Sequence, residues 1–240
     1  MSIFSDNDQE KDTHAVAPIP ERLKKNERVA IITADKAEDI EFFYPYYRLT
    51  EEGYTVDVFT PKGGKFEGKH GLGLKNTRPI FEARPQDYVL LYLPGGKAPA
   101  ELRKNDDVLN FVKKFAHSGK PIAAVCHGPQ ILISTGLVQG KRMACWPEVA
   151  KELEEAGGIF VNEALVEDGQ FITARMPGDL HRHLYGTLQY LKGNVANQNR
   201  SARKPPRRGI AHFNSCKGEA YAQSLSDHRS KAIRSSKSNY

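Results

Sequence analysis

Short apolar, β-branched runs alternate with stretches of helical periodicity along most of this chain, and that alternation leaves few folds open. Residues 29–32 (Val-Ala-Ile-Ile) read as a buried parallel strand. A helix is expected from about Glu38, with Ile40, Phe43 and Tyr47 on one face, Pro45 inside it and Gly53 stopping it. Residues 54–60 alternate as a second strand, and PKGGKFEGKHG follows as a hairpin or loop. Residues 88–93 form a third strand that ends at Pro94-Gly95-Gly96. Asn105 or Asp106 can cap the next helix, whose apolar positions Val108, Phe111, Val112 and Phe115 share one face. Residues 121–125 are a fourth strand and 143–145 a fifth; Val149 and Leu153 mark a short helix. Strands near 159–161, 164–166 and 171–174 precede a last helix carried by Leu180, Leu184, Leu188 and Leu191. The expected fold is α/β: a parallel sheet with helices on both faces.

Charge divides the chain. Residues 194–240 carry ten Lys/Arg against two acids, +8, whereas the rest carries 25 basic and 27 acidic side chains, −2. We therefore read a disordered leader over 1–24, an α/β domain over 25–193, and a basic, disordered tail over 194–240. The tail has few aromatics and no recognisable RNA module, so a solvated tail is preferred to a weak nucleic-acid contact. Three unclustered cysteines, at 126, 145 and 216, are not a disulfide framework and suggest a reducing compartment. No signal peptide or membrane-length apolar run is visible, and the expectation is a cytoplasmic protein.

The chemistry concentrates in Ile122-Ala-Ala-Val-Cys126-His127-Gly128-Pro129-Gln130. A buried strand runs into a nucleophile, a glycine sits two residues on, and Pro129 opens a helix. A nucleophile elbow needs small residues beside its sharp turn, here Ala124 and Gly128. The turn exposes the sulfur at a helix N-terminus, where N–H groups favour thiolate. The competing reading makes Cys126 a small buried hydrophobe. Cys145 reads as inert filling and Cys216 as incidental. An oxyanion hole needs two converging N–H donors; the N–H of His127 and those of Gly95-Gly96 are the candidates.

LTEEGYTVDVFTP, GKHG, LPGGKAP, GKPIAAVCHGPQILIS and RMPGDL together resemble the PfpI-type intracellular proteases, within the superfamily of the Parkinson-associated protein deglycase. The similarity covers about residues 28–192. It implies a flavodoxin-like, doubly wound, mostly parallel sheet with helices on both faces, cofactor-free cysteine chemistry, and assembly with itself as dimers or hexamers. Members are described as peptidases, as deglycases of methylglyoxal- and glyoxal-derived adducts, and as glyoxalases. The family's cysteine matches Cys126, its adjacent histidine His127, and its glutamate Glu38. Trp146 falls where the superfamily often has an aromatic or histidine near the thiol, and is expected to wall the pocket. The peptidase pattern orients the histidine with an acid from a neighbouring subunit; the matching position is Ala100, and Glu101 lies one residue later.

That departure favours Cys126 with Glu38 over Cys126 with His127, and carbonyl-adduct chemistry in stress protection over peptide cleavage. The alternatives are a cysteine peptidase or amidase, and a redox-sensing, chaperone-like protein without turnover. No cofactor, no metal and no membrane partner is expected. His181 and His183 diverge on a helix and read as surface histidines. The small-molecule partners would be carbonyl compounds or glycated proteins.

Overall fold

The computed structural model describes residues 13–202, with side chains described through residue 193. Ten strands and six α-helices follow in chain order among these residues. They are β1 Arg28–Ile32, α1 Asp39–Glu51, β2 Thr55–Thr60, β3 Gly64–Glu67, β4 Gly73–Pro79, β5 Leu90–Leu93, α2 Ala98–Leu102 and α3 Asp106–His117. The second half adds β6 Ile122–Val125, α4 Pro129–Ser134, β7 Arg142–Met143, α5 Ala150–Glu155, β8 Ile159–Phe160, β9 Val166–Asp168, β10 Phe171–Ala174 and α6 Leu180–Ala202.

The main sheet has the order β3-β4-β2-β1-β5-β6-β10-β9. Its five central strands, β2-β1-β5-β6-β10, pair in parallel and wind outward in both directions from β1, which is the flavodoxin-like arrangement. Antiparallel β3 and β9 close the two edges. Alternate residues of each central strand feed opposite cores. Ala30, Ile32, Leu91, Leu93, Ile122 and Ala124 pack with Val108, Phe111, Val112 and Phe115 of α3. Val29, Ile31, Leu90, Tyr92, Ala123 and Val125 pack with Phe42, Tyr46 and Leu49 of α1 and with Leu180, Leu184 and Leu188 of α6. Asn105 caps α3, its Oδ1 accepting from Val108 N at 3.0 Å.

Four expectations are corrected. Of the expected Ile40–Phe43–Tyr47 face only Phe43 is buried, Ile40 being 52% and Tyr47 44% exposed; the buried side of α1 carries Glu41, Phe42, Phe43, Pro45, Tyr46 and Leu49. The strand at residue 143 does not join the main sheet but pairs with β8 in a separate two-stranded one. The last helix does not end at Gly193 but continues to Ala202; one interior glycine costs only about 1 kcal/mol against alanine, and Ala, Gln and Arg follow it. His183 is not on the surface but fully buried. Of the leader, residues 13–24 are described: a turn at residues 13–14, then extended chain around a 3₁₀ turn at Glu21–Leu23, with Val16 N donating to Tyr46 Oη of α1 at 3.2 Å. The rest of the basic tail, with Cys216, lies outside the described residues.

Candidate active site

Three loops converge at the carboxyl ends of β1, β5 and β6. Cys126 follows β6 with φ of +61°, the left-handed conformation that a nucleophile elbow imposes on a side chain that ordinarily avoids it. Backbone bonds hold the turn: Cys126 N donates to Ala174 O at 3.1 Å and Gly128 N to Val125 O at 2.7 Å. Gly128 has no alternative, because a Cβ there would lie 2.4 Å from Leu93 O. The helix that follows, α4, is only six residues long. A short helix offers little dipole, so support for negative charge falls to individual N–H groups.

Gly95 marks the centre of the site. A Cβ on it would meet Glu41 Oε2 at 2.6 Å, Cys126 Cβ at 2.7 Å and His127 N at 2.8 Å. The structure therefore sets Glu41 against the thiol. Glu41 is fully buried and its Oε2 accepts from Gly95 N at 3.0 Å. Its Oε1 has no hydrogen-bond partner. Burial, above all, raises the Glu41 carboxyl to about 7; its bonds with Cys126 and Gly95 oppose that, and the charge of Glu38 adds to it. Burial also pushes the Cys126 thiol up, and Glu41 pushes further, while the N–H groups of Gly96 and His127 favour thiolate. Neither group easily bears a second negative charge beside the other, so the pair holds a proton between them.

Glu38, the acid expected beside the sulfur, has other partners. It takes Lys69 Nζ at 3.1 Å and His70 Nε2 at 3.3 Å. The GKHG motif accounts for this. Asp39 accepts from His70 N at 2.8 Å and Leu72 N at 2.9 Å, and Lys69 N donates to Ala37 O at 2.8 Å, pinning the turn over the start of α1. A Cβ on Gly68 would strike the Asp39 carboxylate at 2.7 Å. Glu38, Asp39 and His70 present possible metal-ligand atoms within 4.8 Å of one another. Both oxygens of Asp39 are already committed to backbone donors.

His127 Nδ1 lies 3.2 Å from Cys126 Sγ, and its ring stacks on Trp146 with centroids 6.1 Å apart. Burial lowers its pKa, and Glu148 opposes this only through space. No acid is hydrogen-bonded to His127 among the described residues. Glu101 lines an adjoining hollow with Asp35, Lys36 and Lys104, while Ala100 lines the thiol pocket. Trp146 N donates to Cys126 O at 2.8 Å. Glu38, Glu41, Lys69, Gly96, Lys97, Cys126, His127 and Trp146, with Gln130 and Pro177, line one cavity of about 640 Å³. Of the residues singled out from sequence, the structure gathers Cys126, His127, Gly96, Trp146 and Glu38 around this cavity, with Gly95 directly beneath. Glu41 was missed. Cys145 is buried without a partner sulfur, and burial raises its pKa to about 12.

The model of the DJ-1/PfpI family matches residues 27–187. A deglycase of Pyrococcus abyssi is 41% identical over 165 residues, 69% of this chain and 99% of that protein. Deglycase PfpI of Pyrococcus furiosus is 35% identical over the same shares of both. YraA of Bacillus subtilis, named as a candidate cysteine protease, is 34% identical over 70% of this chain and 99% of its own. Among solved structures, a two-domain protein from Anabaena variabilis with DJ-1/ThiJ/PfpI-like and ferritin-like domains aligns with TM-score 0.68 and 36% identity. That alignment covers 69% of this chain and about half, 48%, of that one. Drosophila melanogaster DJ-1beta aligns with TM-score 0.66 at 22% identity, over 70% of this chain and 91% of its own, a likeness of fold.

Proposed function

Since the chain belongs to the DJ-1/PfpI family, we propose that it is a cysteine-dependent hydrolase of dicarbonyl adducts, with Cys126 as nucleophile and Glu41 as its acid–base partner. The observation that carries this reading is the buried Glu41 carboxyl, raised to about 7 and set against the thiol, beside a histidine with no acid hydrogen-bonded to it among the described residues. A base poised near the working pH is what proton transfer at sulfur and carbon requires.

The steps balance without an external oxidant. The carrier thiol or amine leaves a methylglyoxal-derived adduct with a proton. Cys126 Sγ adds to the aldehyde carbon as its own proton passes to Glu41, and the N–H groups of Gly96 and His127 face the new oxyanion. Glu41 passes that proton on to the oxyanion, which completes the hemithioacetal hydroxyl, and then, as a carboxylate again, moves a proton from the former aldehyde carbon to the neighbouring one while the hydroxyl proton passes to the former ketone oxygen. This isomerises the hemithioacetal to a lactoyl thioester. Water cleaves the thioester, returning the thiol and releasing lactate. The deglycase names of the archaeal relatives support this direction.

Lactate release from methylglyoxal adducts should vanish in Cys126→Ser. In Glu41→Gln it should fall by roughly 10²–10⁴-fold, the usual share of a general base. Glu38→Gln, which leaves that carboxyl in place, should lose roughly tenfold or less. A greater loss in Glu38→Gln than in Glu41→Gln would return the role to Glu38.

A peptidase reading has one observation of its own, the 3.2 Å approach of His127 Nδ1 to Sγ. The name of the Bacillus relative points the same way. It predicts fluorogenic-peptide cleavage that is lost in His127→Ala and retained in Glu41→Gln. Since no described residue of the same chain supplies an orienting acid, the assay belongs with a measurement of mass in solution, which tests whether a second copy supplies one.

A further inference from the structure

The cavity is larger than the fragment it is proposed to process. About 640 Å³ suits a drug-sized ligand, whereas a two- or three-carbon dicarbonyl fragment fills only a small part. The remaining wall must meet the carrier, the thiol or amine that bears the adduct. Its apolar side is Trp146 and Pro177. Gln130 has its amide nitrogen engaged, donating to Glu152 Oε2 at 3.0 Å, which leaves its carbonyl oxygen as an acceptor.

Four ionisable side chains besides Cys126 and His127 line the cavity: Glu38, Glu41, Lys69 and Lys97. Glu38 and Lys69 neutralise each other at 3.1 Å. Glu41 shares its proton with the thiol, and burial holds it neutral up to about pH 7. Lys97 remains. It has no ion-pair partner among the described residues, although it also borders the hollow that holds Asp35 and Glu101. Lys36 and Lys104 line the same hollow as those two acids, so the hollow offers Lys97 no surplus negative charge. Its backbone is fixed, with N donating to Lys36 O at 2.8 Å. It also directly follows Gly96, whose N–H faces the sulfur. An exposed ammonium without an ion-pair partner among the described residues therefore stands at the wall of the thiol cavity, on the residue that follows the N–H facing the sulfur.

Resting on the carbonyl-adduct reading, we propose that Lys97 is a specificity-determining residue that selects adducts whose carrier bears a free carboxylate close to the modified thiol or amine. Such carriers are amino-acid-like small molecules: their carboxylate pairs with Lys97 and an N–H can meet Gln130. An internal residue of a protein has its own α-carboxyl tied up in a peptide bond and is disfavoured.

Two stable analogues test this, the S-acetonyl thioethers of N-acetylcysteine and of N-acetylcysteinamide, which differ in one charge. Their binding is measured by calorimetry on the full-length Cys126→Ala chain at low salt. The acid should bind about tenfold tighter than the amide, a modest share of a charge-assisted hydrogen bond. Adding Lys97→Gln should bring the ratio close to one, and Lys97→Arg should keep most of it. Rising salt should narrow it. Equal binding of acid and amide in the Cys126→Ala chain, or a ratio untouched by Lys97→Gln, overturns the proposal. Lactate release from the corresponding methylglyoxal hemithioacetals by the unaltered chain is scored separately. A Lys97-dependent preference without Cys126-dependent release would uphold the selection and overturn the reaction. With turnover present, the preference should appear in KM more than in kcat.

Discussion

Glu41 is both the most useful and the least comfortable residue of the molecule. A fully buried carboxyl with one unpartnered oxygen is expensive when charged, and that expense raises it to about 7. The native state favours its protonated form more than the unfolded chain does. The stability this contributes is complete below the unfolded value near 4.5 and is lost as pH rises through about 7. Two results follow. Glu41→Gln, neutral at every pH, should gain on the order of 1–3 kcal/mol over the parent at pH 8 and nothing at pH 4, read by urea unfolding. The kcat/KM of the parent should rise through about pH 7 as Glu41 becomes a base, and that limb should disappear from the residual activity of Glu41→Gln. A variant no more stable than its parent at pH 8 would show that Glu41 carries its charge without cost.

At the scale of elements, the strands and α3 were plain in the sequence and α1 was not, and the difference explains the missed acid. In α3 the apolar residues Val108, Phe111, Val112 and Phe115 are set off by Asp, Asn and Lys, so only one face can be buried. In α1, Ile40, Phe42, Phe43, Tyr44, Tyr46, Tyr47 and Leu49 leave several stripes open, and periodicity cannot choose among them. The choice of stripe decides which acid faces the thiol. The 40–43–47 stripe leaves Glu41 outside, whereas the observed stripe carries Glu41, Pro45 and Leu49 at i, i+4 and i+8, one above the other. An acid in register with a buried column was the available signal. The elbow was legible because its requirement is local: Gly128 lies 2.4 Å, by its absent Cβ, from Leu93 O, and no other residue fits. The Lys69–Glu38 pairing was not legible, because it depends on a turn about thirty residues away. The α1 assignment is testable by truncation. Phe42→Ala should cost about 3–5 kcal/mol, and exposed Ile40→Ala within about 0.5 kcal/mol. Equal losses would place both faces in contact with something.

Across the whole molecule, His183 joins what the chain separates. It sits fully buried on α6, its Nε2 donating to Ile172 O of β10 at 3.0 Å, while its Nδ1 accepts from Tyr92 O–H of β5 at 3.4 Å. The carbonyl of Ile172 fixes the ring proton on Nε2, so in the neutral ring Nδ1 accepts from Tyr92; a second proton on Nδ1 would require the Tyr92 hydroxyl to turn and accept, and would place a full charge in the core. Burial lowers its pKa to about 4. Between pH 4 and 6.5 the unfolded chain binds this proton and the native one does not, so the stability His183 contributes is present above 6.5 and is lost as pH falls through 4. The full loss is on the order of 3 kcal/mol. Glu41 slopes the other way over pH 4.5–7, so the two partly cancel between 4.5 and 6.5 in the parent, and the acid side is seen cleanly only with Glu41 silenced. In a Glu41→Gln background, stability should therefore fall steadily from pH 6.5 to 4, and adding His183→Gln should flatten that slope whatever its effect on the absolute value. A slope that survives His183→Gln would assign the acid loss to other groups and leave His183 as packing between α6 and the sheet.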